Sequence, residues 1–160
     1  MSSSSIQVAR ENNQIFLKII GKGNFLLGQL LKDFYTKHSD NHQQTFYIDM
    51  SGCQSMDSTF MGVLAGIGKS LREKTGLALN ILNLSEHNYE LLNTLGIDIF
   101  LNLESGQKVY PAQFANLDIT NDKNKLKTDI LEAHHTLMHL SEANHMKFKD
   151  VYEYLKSSQT

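Results

Sequence analysis

Tryptophan is absent, and cysteine and proline occur once each, at Cys53 and Pro111. A single cysteine excludes an intrachain disulfide and the cysteine-rich zinc sites, and it fits a reducing compartment. No Gly, Pro or Ser run is long enough for a flexible interdomain linker, so Ser2 to Ser5 read as a disordered start. Apolar runs are short: none approaches the roughly 18 residues of a membrane span. The opening MSSSSIQVAR also lacks a basic segment leading into an apolar core. A soluble, cytoplasmic chain is expected. Charge has no dominant sign either, with 15 Lys plus Arg against 17 Asp plus Glu and a net charge of −2. There is no global field to hold nucleic acid or an anionic membrane.

What is present is enough apolar material, 41% of 160 residues, for one globular domain. Two short segments, Ile6 to Arg10 and Gln14 to Ile20, flank Glu11-Asn12-Asn13 and predict a hairpin. Gly21, Gly23 and Asn24 break the strand. Phe25, Leu26, Leu30, Leu31, Phe34 and Tyr35 then recur at helical spacing, up to a polar stretch at His38 to His42. A strand from Thr45 to Met50 is expected to stop at Ser51-Gly52. Met61, Val63, Leu64, Ile67 and Leu71 form a second helical stripe among small residues, closed by Thr75-Gly76. Leu77 to Leu84 reads as a strand, and Ser85 with Asn88 as the start of a third helix carrying Tyr89, Leu91, Leu92 and Leu95. Gly96 ends that helix. Ile97 to Leu103, with Val109-Tyr110, reads as the last strand region.

The order β β α β α β α β predicts an α/β fold, a mixed sheet with helices packed on it, over residues 6–115. Residues 118–160 differ, with no Gly or Pro. Their apolar positions Leu126, Ile130, Ala133, Leu137, Leu140, Phe148, Val151 and Leu155 predict an amphipathic C-terminal helical extension, one long helix or two with a restart at Ser141. Such a stripe must pack on the core, on a second copy or on a partner, and a homo-oligomer through residues 121–157 is the expected use.

The most informative stretch runs from Tyr47 to Gly62. Asp57-Ser58-Thr59 opens a helix, as N-cap residues do. With Asp49 in the preceding strand, Gly62-Val63-Leu64 in the following helix and the strand and helix downstream, the stretch resembles the STAS domain of the bacterial anti-sigma-factor antagonists. In that family an Asp-Ser-Ser/Thr-Gly motif sits at this point; Phe60 stands here in place of the glycine. The resemblance implies phosphorylation of Ser58 by a GHKL-type serine kinase that is also an anti-sigma factor, and reversal by a PP2C-type phosphatase. The unphosphorylated protein would bind that kinase through Asp49, Asp57, Ser58, Thr59, Phe60 and Met61.

A phosphate on Ser58 adds roughly −1.5 to −2 charge at a helix N-terminus, where free amides receive an anion favourably. The effect should fall on the partner surface. Ser58 then needs exposure rather than activation, and no general base is expected beside it. A hydrolase elbow lacks Gly-x-Ser-x-Gly, and a receiver domain with Asp49 as acceptor lacks the acidic pair that holds magnesium. His135 and His139 share a helix face at metal-ligand spacing, but the Glu of His-Glu-x-x-His and a third ligand are missing, so they, His134 and His145 read as packed or solvated helix residues. Cys53 reads as a small buried or loop residue. No enzyme activity, cofactor, metal or small-molecule ligand is indicated. The alternative to sigma-factor control is a stand-alone scaffold or signalling-complex subunit.

Overall fold

A computed structural model describes residues 4–39, 44–104, 114–117 and 123–157. The chain opens with β1 (Ser5–Glu11) and β2 (Gln14–Gly23), an antiparallel hairpin that turns at Asn12 in the left-handed region, φ 55°. Ser4 and Ser5 belong to this order rather than to a disordered start, since the Ser4 hydroxyl accepts from the Lys22 amide and Ser5 begins β1. The remainder of that expected start, before residue 4, lies outside the described residues.

Helix α1 (Phe25–His38) follows, then β3 (Thr45–Met56), α2 (Ser58–Thr75), β4 (Leu79–Leu82), α3 (Glu86–Thr94), a 3₁₀ turn (Ile97–Phe100), β5 (Leu101–Glu104) and β6 (Ala115–Asn116). The sheet order is β5-β4-β3-β2-β1-β6. Strands β2 to β5 run parallel to one another, whereas β1 is antiparallel to both β2 and β6. This is the expected mixed sheet, with three differences. β3 does not stop at Ser51-Gly52, and β2 does not break at Gly21. The two strands stay paired to Gly23 and Met56 through register shifts. Ile97 to Phe100 forms a 3₁₀ turn instead of strand, because the Arg72 guanidinium binds the Ile99 carbonyl and lies over the Phe100 ring. β6 was not legible, and the expected strand at Val109-Tyr110 lies outside the described residues.

Side-chain alternation along the strands assigns the two faces. Ile15, Leu17 and Ile19 on β2, Phe46, Ile48 and Met50 on β3 and Leu79 and Ile81 on β4 meet the helices in the main core. The intervening positions Ala9, Phe16, Tyr47 and Leu82 form a small second cluster, with Phe16 stacked on Tyr47 at 4.9 Å. Helix α2 fits its place through its caps: Asp57 at one end, and Gly76 with φ 73° at the other.

Two helices complete the fold, α4 (Lys123–Met138) and α5 (Glu142–Ser157), and the restart falls at Ser141, whose hydroxyl accepts from the Asn144 amide. Their apolar stripe packs in cis: Ala133, Leu137, Met138 and Phe148 join the main core. Helix α4 crosses α2 where a Cβ on Gly62 would stand 2.4 Å from the Ala133 carbonyl oxygen, so only glycine permits the approach. Polar contacts fix the register. Lys32 binds Asp129 (2.8 Å) and Glu132, and Lys125 binds Asp129 (2.9 Å) and Asp33, which ties α1 to α4. On α5, the buried Asn144 donates to the Leu95 carbonyl at 2.9 Å.

Asp129 is buried and serves both lysines, so Asp129→Ala should lower the unfolding free energy by about 1–3 kcal/mol in a urea titration. An unchanged midpoint would mean the network behaves as a solvated surface set.

Candidate functional site

Two parallel strands deliver the site. β2 and β3 end in register, Gly23 opposite Met56, and each leads at once into a helix. Asn24 caps α1 by accepting from the Leu27 amide (3.0 Å), and Asp57 caps α2 by accepting from the Phe60 amide (2.8 Å). The Asp57 amide donates to the Gly23 carbonyl at 2.8 Å, so both helix N-termini open side by side. Burial pushes the Asp57 carboxyl above its ordinary value, against the opposing pull of the Phe60 and Phe25 amides, His134 and the Thr59 amide.

Ser58 is the first residue of α2 and is half-buried. Its Oγ lies 3.0 Å from His134 Nε2 on α4. His134 Nδ1 lies 2.8 Å from the Ile130 carbonyl oxygen. A carbonyl only accepts, so Nδ1 donates to it, and Nε2 shares a hydrogen bond with the Ser58 hydroxyl. The ring is 5% exposed and meets Phe148 edge-on at 5.6 Å. The expectation of an exposed Ser58 with no base beside it is thus corrected: the extension folds back over α2 and sets an imidazole on the hydroxyl.

The other expected site residues divide. Asp57, Ser58 and Thr59 share the start of α2. Phe60 is fully buried, and a Cβ on Gly23 would stand 3.1 Å from its ring. Thr59 and Met61 are buried as well. Asp49 is not at the site. β3 runs on to Met56, which at ~3.3 Å per residue carries the chain on the order of 20 Å beyond Asp49. Its Oδ1 accepts instead from the Ser51 amide (2.9 Å) and the Asn83 side chain (3.1 Å), shaping the turn after β4.

A serine hydroxyl on a histidine ring nitrogen is the pairing that nucleophile and base make. Nucleophilic catalysis also needs room for a substrate and free donors for an oxyanion. The Phe60 and Met61 amides are already bonded to the Asp57 side chain and carbonyl. A cleft of about 230 Å³ runs between α1, α2 and α4, past Lys32, Ser70 and Thr136, but neither Ser58 nor His134 lines it. The pairing joins the start of α2 to α4.

The remaining histidines do not converge on this site. The His135 and His139 rings meet at a tilt, 4.1 Å apart, and His139 Nδ1 donates to the His135 carbonyl; among the described residues no three His, Cys, Asp or Glu are grouped to hold a metal ion. Cys53 is buried, its thiol pushed up by burial and donating to the Ser55 carbonyl at 3.3 Å. Among the described residues no helix is long and apolar enough to cross a membrane. Sequence reasoning missed His134 and Gly62 as site residues. The available signal was His134 falling on the apolar stripe between Ile130 and Leu137, where a polar residue needs a partner.

The STAS domain family model matches residues 5–111, so α4 and α5 lie beyond it. No curated protein matches the sequence. Similar solved structures include a Thermotoga maritima protein assigned to the anti-sigma factor antagonists (17% identity, TM-score 0.55, covering 62% of this chain and 85% of that one). The anti-sigma factor antagonist SpoIIAA in its unphosphorylated form follows (13% identity, TM-score 0.53, 64% and 90%). The Bacillus cell fate determinant SpoIIAA in its phosphorylated form is also similar (14% identity, TM-score 0.52, 63% and 92%). At these identities the likeness is one of fold.

Because the folded Asp57 carboxyl sits above its ordinary 3.8, its proton is bound more tightly in the fold than in the unfolded chain. Stability should rise as pH falls through the raised value and level off below 3.8. Asp57→Asn keeps a cap and removes this dependence, whereas Asp57→Ala loses the cap and costs about 1 kcal/mol. Urea unfolding across the acid range checks both, and an Asn variant that keeps the wild-type slope would refute the assignment.

Proposed function

The chain belongs to the STAS domain family, and from that premise we propose that it is a phospho-regulated protein-interaction module, an anti-sigma-factor antagonist switched at Ser58. The observation that carries this reading is the placement of a serine hydroxyl at the first residue of α2, beside the Asp57 cap and at the mouth shared by two helix N-termini. Unphosphorylated, the module binds an anti-sigma factor that is also a GHKL-type serine kinase, and a PP2C-type phosphatase resets it. The kinase holds a nucleoside triphosphate. Ser58 Oγ forms a bond to the γ-phosphorus as the bond to the departing diphosphate breaks, and the hydroxyl proton leaves to a base. No catalysis is asked of this chain.

The energetics need only a modest coupling. A phosphate on Ser58 places a dianion next to Asp57, and a partner must desolvate both to stay bound. A difference on the order of 1–3 kcal/mol, or roughly 5- to 150-fold in affinity, makes a usable switch.

A second reading, a scaffold or signalling subunit without sigma-factor output, is favoured by the outward side of α5. Met146, Val151 and Tyr154 are exposed there, an apolar series suited to a homo-oligomer contact within residues 121–157.

The test is incubation with a serine kinase encoded beside this gene, followed by mass mapping. Phosphate is expected on Ser58 and absent from Ser58→Ala. Equal phosphorylation of the two proteins would defeat the assignment.

A further inference from the structure

Helices α4 and α5 lie beyond the family match, yet one of their side chains occupies the hydroxyl on which the proposed switch depends. We propose that the α4–α5 pair is a cis-bound cover on the Ser58 end of α2, latched by the Ser58–His134 hydrogen bond, and that a phosphoryl group on Ser58 releases it. This deepens the phospho-switch reading and rests on it for Ser58 as the modified residue.

The contact admits a hydroxyl and nothing larger. At 3.0 Å the space between Oγ and Nε2 holds one shared proton. A phosphoryl group replaces that proton with a phosphorus and three oxygens, which a 3.0 Å contact with a buried ring has no room to hold. The ring has no neighbouring position to take. Its Nδ1 is held by the Ile130 carbonyl, and its plane meets Phe148. Helix α4 carries α5 with it, since His134 meets Phe148 across the pair. Relief comes when the pair moves as a unit.

The interface is suited to such release. The residues of the pair buried against the core include Asp129, His134 and Asn144, each with a polar partner in the core: Lys32, Ser58 and the Leu95 carbonyl. The boundary combines these satisfied polar contacts with the apolar Ala133, Leu137, Met138 and Phe148, a mixture found at interfaces between domains. The coupling runs both ways: phosphate on Ser58 favours the open cover, and the closed cover disfavours the phosphorylated serine by the same equilibrium factor. Release bares the side of α2 that carries Gly62, and the partner competes with α4 for it.

The experiment uses the full chain with phosphoserine installed at position 58 during translation, so it does not depend on any kinase. Hydrogen exchange is compared with the unphosphorylated protein. Amides of residues 123–157 should exchange roughly 5- to 150-fold faster, with the strands β1 to β5 unchanged. Unchanged protection in 123–157 overturns the proposal, and so does loosening throughout the sheet, which would make Ser58 a determinant of the fold and not of the cover. Gly62→Ala supplies the second arm without phosphate. It favours the α2 helix intrinsically but drives a methyl into the Ala133 backbone, so it too should speed exchange in 123–157, and full protection there would refute the crossing as what seats the cover. If these arms succeed while no native kinase modifies Ser58, the cover stands and the signalling reading falls.

Discussion

The pairing of β2 with β3 through to Gly23 and Met56 is the constraint from which the site follows. Two parallel strands that end together must release their helices from the same end of the sheet, so the free amides of α1 and α2 converge. A carboxylate at that convergence meets the demand, and Asp57 supplies it while its own amide donates to Gly23. The same register leaves a space above Gly23 that the Phe60 ring fills. A residue that departs from the family motif is thereby accounted for by packing: the ring closes the core beneath the two caps, and Ser58 is left as the position of the triplet with its polar group turned outward toward α4.

The outward side of α2 is shaped by a second constraint, the approach of α4 at Gly62. Helices come this close only where one lacks a side chain at the crossing. Once Ala133 rests there, the next residue, His134, is carried over the start of α2, and the positions one turn earlier bring Asp129 to Lys32. The latch and the ion network are thus consequences of one crossing. Burying Asp129 without its lysines, or His134 without the Ser58 hydroxyl, would leave polar groups unpaired, which sets the register of the extension more firmly than its leucines could.

Much of this was legible in the residues. The cap at Asp57, the αL close at Gly76, the helix start at Ser85 and the restart at Ser141 are local hydrogen-bonding demands that the side chains announce. What stayed hidden depends on contacts between distant segments. Gly52 reads as a strand breaker; here it lets β3 continue, because a Cβ there would press to 3.1 Å from the Ile19 carbonyl at the register shift. Ile97 to Phe100 has strand composition, yet its contact with Arg72 decides its form. The extension's stripe showed that it must pack, but not on which surface. A hydrogen bond spanning 76 residues leaves no local pattern at either end.

The site also alters how a phosphate on Ser58 is received. A helix N-terminus ordinarily welcomes an anion because its amides are unpartnered. In α2 the Asp57 carboxylate already draws on the amides of Phe60 and Thr59, and on that of Phe25 from the neighbouring helix. A second anion arriving at the next residue shares amides that are largely committed, and it adds repulsion within the same turn. The folded sheet cannot relieve this, since Asp57 is held by the β2–β3 ending itself. The extension can, because nothing in the register of the strands depends on it. A charge added at Ser58 would thus be felt least where the fold is set and most at the boundary with α4, which is what would separate a switch from a destabilising modification.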